Sequence, residues 1–200
     1  MLILAADTSL PILSVALVRE DELLAAMAME GKSSRNEKLL PAIDWLLKES
    51  GADRAAIDLF AVTRGPGSFT GVRIGLATMQ GMALALGKPV CAMSTHEAVA
   101  PSHGRWLIVD DAGRGELYVS LFDGGEEVTP PHLARSNDLA GITAERLPLG
   151  EFAQERNVAL SCARRAGSIA SAGKLERYRD ITPIYVRLAE ADVRLAQKER

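Results

Sequence analysis

The sequence predicts an α/β protein of two lobes, the second of them shortened. Over the first hundred residues, apolar segments with strand periodicity alternate with segments whose apolar residues recur at helical spacing. A strand–turn–strand pattern also occurs twice: Asp7 lies eight residues before Val15, and Asp111 lies eight residues before Val119. We therefore predict one lobe over residues 1–102 and a smaller lobe of the same fold over residues 103–200.

The first three apolar segments predict strands joined by tight turns. They cover residues 2–6, 12–19 and 22–29. The third segment is rich in Ala and Leu and suits a helix equally well, but its spacing from the second strand favours a hairpin. A helix with one apolar stripe follows from Asn36, and Gly51 is placed to end it.

A glycine-rich loop then separates a strand from a helix. Residues 57–63 predict the strand, and three glycines and a proline exclude regular structure over residues 64–71. Residues 72–86 predict a helix that is apolar on nearly all sides. Residues 89–93 predict another strand and residues 95–100 a short helix.

The second half of the chain gives weaker signals. Residues 106–111 and 116–122 predict two strands joined by a glycine-containing turn. We expect a loop over residues 130–149, a helix over residues 152–172 and an extended segment over residues 182–187.

The order of the elements points to a known architecture. Three hairpin-connected strands followed by helix, strand, helix, strand and helix are typical of a ribonuclease-H-like lobe. Two such lobes form the actin-like ATPase fold, which is the fold class that we predict.

Composition indicates a globular protein without an autonomous nucleic-acid surface. Hydrophobic residues make up 48% of the 200 residues and charged residues 24%, which are ordinary values. A formal net charge of -3 disfavours independent binding to RNA, because phosphate neutralisation needs concentrated Lys and Arg. Asp7 interrupts the first apolar run too early for a signal peptide or a membrane span, so we expect a cytoplasmic protein.

Two segments of the first lobe have the chemistry of a nucleotide site. The turn after the first strand offers a carboxylate for a Mg²⁺ shell and hydroxyl groups for phosphate, although such a turn also forms for conformational reasons alone. The loop over residues 65–71 leads into a helix N-terminus, which suits an anion. It matches neither the Walker nor the dinucleotide pattern, and close packing explains its glycines equally well. The candidate cofactor-binding residues are Asp7, Thr8, Ser9, Gly65, Gly67, Ser68 and Gly71.

Other reactive side chains favour structural interpretations. Cys91 and Cys162 lie far apart without a CxxC pattern, and His96 and Glu97 lack the HxxxH or HExxH spacing, so we expect no metal site. A cluster of basic residues near the carboxyl end alternates with Glu176 and Asp180, which is typical of a solvated face. Its members are Arg164, Arg165, Lys174, Arg177 and Arg179.

The helix over residues 72–86 has more apolar surface than one face of a sheet can cover. Core packing explains this pattern, and so does a subunit interface shared with the helix that follows Asn36. The candidate interface residues are Leu39, Ile43, Leu46, Arg73, Gly75, Thr78, Met82 and Ala85.

The most specific signal is a run of twelve residues that resembles the signature of the TsaB (YeaZ) family. It reads Arg64-Gly65-Pro66-Gly67-Ser68-Phe69-Thr70-Gly71-Val72-Arg73-Ile74-Gly75. Segments at residues 3–9, 39–41, 81–83, 115–118 and 183–187 resemble further landmarks of that family, in the same order.

The resemblance implies a non-catalytic scaffold for the synthesis of N6-threonylcarbamoyladenosine at position 37 of tRNA. It implies a heterodimer with the catalytic subunit TsaD through the first two helices, recruitment of the ATPase TsaE, and contact with tRNA only through the complex. The two metal histidines of the TsaD HxxxH motif would fall on Thr95 and Val99, neither of which suits a metal. A homodimer through the same helices is the competing state of the isolated chain.

Two enzyme classes are the alternatives. An ATP-dependent phosphotransferase of the sugar-kinase type would use Asp7 and the glycine-rich loop, but it needs a larger second lobe. A metalloprotease would need the missing HxxxH motif. We therefore expect no catalytic residue and no cofactor, with weak ATP or ADP binding at a vestigial site left open.

Overall fold

Two β-sheets form the framework of the protein in a computed structural model, which describes residues 1–30 and 35–187. The first sheet has the order β3-β2-β1-β4-β5. β1, β2 and β3 are antiparallel neighbours, whereas β4 and β5 run parallel to β1. Their bounds are β1 Leu2–Asp7, β2 Ile12–Arg19, β3 Glu22–Glu30, β4 Leu59–Thr63 and β5 Val90–Met93.

The second sheet repeats the first four strands of this topology in the order β8-β7-β6-β9. β6, β7 and β8 are antiparallel, and β9 lies parallel to β6 as β4 does to β1. Their bounds are β6 Arg105–Gly113, β7 Glu116–Asp123, β8 Glu126–Ala134 and β9 Glu145–Pro148. The predicted α/β class and the actin-like, ribonuclease-H-like arrangement are confirmed.

Helices cover both faces of the first sheet. Their bounds are α1 Arg35–Ser50, α2 Phe69–Leu86, α3 Thr95–Val99, α4 Leu149–Glu155 and α5 Val158–Ser171. α1 and α2 pack with Leu4 and Phe60 on one face, while α5 packs with Ile3 and Ala61 on the other. The central strands are therefore buried on both sides. Because α5 follows residue 102 in the chain, the second half supplies part of the cover of the first sheet.

Local capping sets the helix boundaries that periodicity left open. α2 begins at Phe69, three residues before the predicted start, because the side chain of Ser68 accepts a hydrogen bond from the backbone N–H of Gly71. Gly87 ends α2 in the left-handed conformation with φ of 63°. The helix predicted over residues 152–172 is two helices, because Arg156 and Asn157 are extended and the Asn157 side chain caps α5.

The prediction of a loop over residues 130–149 is wrong. β8 and β9 occupy much of this segment, with the 3-10 helix Ser136–Leu139 between them. Pro130 and Pro131 weakened the strand pattern, but β8 is the edge strand of its sheet, where a residue without an N–H is tolerated. Residues 182–187 belong to neither sheet.

None of the described helices combines the length and apolar character that crossing a bilayer requires.

Candidate functional site

The Asp7–Ser9 turn and the glycine-rich loop lie in direct contact. The N–H of Ser68 donates to the carbonyl oxygen of Ser9 at 2.7 Å, and the hydroxyl of Thr8 donates to the carbonyl oxygen of Gly71 at 2.6 Å. A Cβ at Gly67 would lie 2.4 Å from that Ser9 oxygen. The structure therefore brings the predicted cofactor-binding residues together, with several of their polar groups bonded to one another.

Asp7 is the centre of this cluster and is fully buried. Its Oδ1 atom accepts hydrogen bonds from the N–H and the hydroxyl of Ser9, at 3.2 and 2.6 Å, and from the hydroxyl of Thr63. Its Oδ2 atom has no hydrogen-bond partner among the residues that the structure describes. Burial raises the pKa of Asp7, and the hydrogen bonds from Ser9 and Thr63 oppose that shift.

Two further residues, Thr63 and Thr95, belong to this cluster, and a third, Asp110, interacts with it electrostatically. The sequence reasoning selected none of them as site residues. Thr63 ends β4 beside the end of β1, and the Thr95 hydroxyl lies 2.9 Å from that of Ser9. Parallel strands end at one edge of a sheet, so the position of Thr63 was a usable signal. Asp110 comes from β6 of the second sheet, and repulsion from Asp7 contributes to its pKa. Only the packing of the two lobes brings it near.

Asp110 makes folding sensitive to pH. Burial, together with repulsion from Asp111 and Asp7, raises the pKa of Asp110 from 3.8 to about 6. Between these values the unfolded chain releases the proton first, so the free energy of unfolding falls as pH rises and levels off above about pH 6. Replacing Asp110 with Asn removes this titration. We expect the difference in free energy of unfolding, Asp110→Asn minus the unmodified chain, to increase from about pH 4 to about pH 7. Urea denaturation at several pH values measures this difference. A difference that is the same at all pH values would contradict this prediction.

The buried histidine joins the two halves of the chain. The Nδ1 atom of His96 in α3 lies 2.7 Å from the hydroxyl of Ser120 in β7, whereas its Nε2 atom has no hydrogen-bond partner within residues 1–30 and 35–187. Burial lowers the pKa of His96 to about 3, so the ring is neutral at physiological pH. Cys91 and Cys162 are free and buried, and burial raises the pKa of both thiols. In the described ranges, no three His, Cys, Asp or Glu side chains converge in a way that could hold a metal.

Half of the predicted interface residues lie in the core and cannot meet a partner. Leu39, Ile43 and Leu46 are the buried side of α1, packed against the first sheet. Gly75 is buried as well, and a Cβ there would lie 2.4 Å from the hydroxyl oxygen of Thr8. The prediction is corrected for these four residues, because helical spacing identified the apolar face of α1 but not what covers it.

The outer faces of α1 and α2 carry apolar residues that the sequence reasoning missed. Leu84 is 81% exposed, Leu40 55% and Trp45 41%. Of the predicted interface residues on α2, Arg73 and Ala85 are exposed and Thr78 and Met82 are half-buried. These four stay candidates for the surface that meets a partner.

An aromatic and arginine cluster lies at the start of this surface. The Arg73 guanidinium lies 3.7 Å from the ring centroid of Phe69, and its Nε–H donates to the Tyr185 hydroxyl at 2.7 Å. The rings of Phe69 and Tyr185 are 4.7 Å apart. Arg73 in the first turn of a helix is unfavourable for the helix dipole, and this cluster is its compensating partner.

The chain is similar to proteins of known name. It is 36% identical over 126 residues to the tRNA threonylcarbamoyladenosine biosynthesis protein TsaB of Bacillus subtilis, covering 61% of this chain and 55% of that protein. The Escherichia coli protein of the same name is also 36% identical over 126 residues, covering 59% and 53%. The model of the TsaD family, tRNA N6-adenosine threonylcarbamoyltransferase, matches residues 31–174. This chain belongs to that family, in its TsaB (YeaZ) group.

The solved structure of YeaZ from Pseudomonas aeruginosa agrees with this membership. It superimposes with a TM-score of 0.73 at 26% sequence identity, covering 92% of this chain and 99% of that one. The match to the two TsaB proteins is less complete, because this chain spans about half of their length. The matched region of the TsaD family model includes α2 and the whole second sheet.

Proposed function

We propose that this chain is the non-catalytic accessory subunit of the complex that makes N6-threonylcarbamoyladenosine at position 37 of tRNA, where it binds and activates TsaD. The observation that carries the proposal is the apolar face of α2 that the described residues leave uncovered. Leu84 leaves 81% of its surface exposed there, on a helix whose opposite side is core. Large exposed apolar side chains that cluster on one face are typical of protein interfaces.

The composition of this face suits close helix packing. Ala77, Gly81, Leu84 and Ala85 are exposed and recur at helical spacing along α2. A Cβ at Gly81 would meet no other atom within 4 Å, so the space above it is open. Small residues beside one large apolar residue let a partner helix approach and receive the leucine. Leu40 and Trp45 extend the apolar surface onto α1.

The relationship to TsaD indicates which partner would fit. Two chains of one fold present equivalent helices, so they can pair about an approximate two-fold axis, as two identical chains do in a symmetric dimer. A TsaD chain would therefore meet α1 and α2 with its own first two helices. A second copy of this chain could occupy the same face, which makes the homodimer a competitor. We also propose that TsaE joins the assembled pair.

The contacts around Asp7 support a scaffold rather than a sugar kinase. A kinase carboxylate has to face Mg²⁺ and phosphate, but Asp7 is buried, with one oxygen already accepting three hydrogen bonds from the chain itself. The N–H of Ser68 already donates to the carbonyl oxygen of Ser9, so it does not face a phosphate. These groups hold the turn against the loop, which is a structural task. Weak ATP or ADP binding at the vestigial site formed by the Asp7–Ser9 turn and the glycine-rich loop stays a prediction.

Reconstitution of the reaction tests the proposed function. We expect threonylcarbamoylation of tRNA by TsaC, TsaD and TsaE from the same organism to rise at least tenfold when this chain is added. This chain without TsaD should give no product. The readout is incorporation of labelled threonine into tRNA. Equal incorporation with and without the chain would refute the accessory role.

A further inference from the structure

A cleft of about 1000 Å³ lies on the side of the molecule that α1 and α2 do not cover. Its lining comes from α5, the segment after α3, the turn between β7 and β8, and the 3-10 helix Leu175–Tyr178. α5 packs on the face of the first sheet opposite to α1 and α2. The cleft is therefore separate from the proposed TsaD surface.

The structure sorts the basic residues near this cleft into two groups. Arg165 is engaged within the protein. Its guanidinium donates hydrogen bonds to the carbonyl oxygens of Ala100 (3.0 Å) and Gly125, and it lies 3.7 Å from the carboxylate of Glu97. Arg179 forms an ion pair with Glu176 at 2.7 Å. These contacts occupy both cations.

Four other cations in the cleft are exposed and have no ion-pair partner among the residues that the structure describes. They are Arg156, Arg164, Lys174 and Arg177. Arg164 lies on α5, Arg156 lies just before it, and Lys174 and Arg177 follow it at the 3-10 helix Leu175–Tyr178. Ser161 and Ser168 of α5 add hydroxyl groups. The sequence pattern favoured a solvated face for this cluster, but the fold gathers these four at one concave surface. We call this surface the α5 wall.

The acidic residues of the cleft come from other elements. Asp21 belongs to the turn between β2 and β3, and Glu126 and Glu127 to β8 at its turn with β7. Glu97 is already engaged, since it accepts a hydrogen bond from the Tyr178 hydroxyl at 2.6 Å and faces Arg165. Positive charge is therefore confined to the α5 wall, and a polyanion would lie along that wall rather than fill the cleft.

We infer that the α5 wall binds the phosphodiester backbone of RNA. Three of its four cations are arginines, whose planar guanidinium group binds phosphate oxygens in pairs. Phe152 and Tyr178 line the same cleft, and aromatic rings stack with unpaired bases, a contact that an acidic peptide does not use. The inference rests in part on the proposed function, because tRNA is the substrate of that complex. If so, this chain itself contacts the phosphodiester backbone of tRNA within the complex.

Salt-dependent binding of tRNA to this chain alone tests the inference. At about 150 mM salt we expect weak binding, with Kd of about 10⁻⁶ to 10⁻⁴ M, by fluorescence anisotropy of labelled tRNA. The double variant Arg164→Gln/Arg177→Gln should bind at least tenfold more weakly. The slope of log K against log salt should become shallower by about 1.4 to 1.8, because each lost phosphate contact releases about 0.7 to 0.9 fewer counterions. Both side chains are exposed, so the variant should unfold at an unchanged temperature.

A matched control separates the α5 wall from net charge. Arg54→Gln/Arg135→Gln removes the same charge from exposed positions outside the cleft and should change neither Kd nor slope. Equal loss in both double variants, or no binding by the unmodified chain, would overturn the inference. Binding of polyglutamate that depends on Arg164 while tRNA binding does not would also overturn it. The assay contains no TsaD, so its failure is distinct from failure of the accessory role.

Discussion

Replacing Gly67 with alanine is expected to lower the free energy of unfolding by about 2–6 kcal/mol. The new Cβ would lie 2.4 Å from the carbonyl oxygen of Ser9 and 3.0 Å from its carbon, and both are backbone atoms that cannot rotate away. Gly67 also has φ of 150°, a conformation that L side chains rarely adopt. Separating the loop from the turn would break the hydrogen bond from Ser68 to Ser9. Overpacking costs about 1–3 kcal/mol, and an unpaired buried backbone group adds about 1–3 kcal/mol.

The measurement is chemical and thermal denaturation beside a matched glycine variant. Gly81→Ala also adds one methyl group, but in an exposed helix position where no atom lies within 4 Å. It should stabilise the chain by up to about 1 kcal/mol, because alanine has the higher helix propensity. For a chain of this size, the predicted loss in Gly67→Ala corresponds to a fall in Tm of about 4–24 °C. Equal stability of Gly67→Ala and the unmodified chain would show that the turn and the loop do not depend on this close approach.

Replacing Leu84 with glutamate is expected to weaken the pairing with TsaD by about 30- to 1000-fold. Burying an unpaired carboxylate in an apolar interface costs about 2–4 kcal/mol, and each 1.4 kcal/mol is a factor of about ten in Kd. Leu84 is 81% exposed in the free chain, so its replacement should change the stability of the monomer by no more than about 0.5 kcal/mol. The affinity is measured by calorimetry, and the fold by circular dichroism.

Val128→Glu is the matched control for this prediction. Val128 is 55% exposed on the edge strand β8 of the second sheet, away from α1 and α2. The variant introduces the same charge at an exposed apolar residue and should leave the TsaD affinity unchanged. Gly75 is not suitable for this experiment, because a side chain there would collide with Thr8 and unfold the monomer. Tight pairing by Leu84→Glu would show that the outer face of α2 is not the TsaD surface.

The local sequence determined most of the first sheet and its helices. Alternation along β2 and helical spacing along α1 reflect which side chains must avoid water, and both periods are visible without the fold. The glycine-rich loop could be predicted equally well, because glycines and proline exclude regular structure wherever they cluster. The strands β8 and β9 could not be predicted from the local sequence. The two prolines of β8 weaken its pattern, and β9 has four residues, so only the neighbouring strands hold them in a sheet.

Some residues of the candidate site could likewise be predicted from the local sequence, and others could not. The motif residues Asp7 and Gly67 could be selected from the sequence, since their chemistry and spacing are local. Asp110 and the burial of Gly75 could not, because both depend on which distant segments pack against them. The error at Leu39, Ile43 and Leu46 has the same cause. Burial of a hydrophobic stripe is favourable, but packing in the core and packing against a partner bury it equally well. Only the tertiary structure shows that the first sheet already covers this stripe, and that the described part of the chain leaves outward-facing residues such as Leu84 exposed.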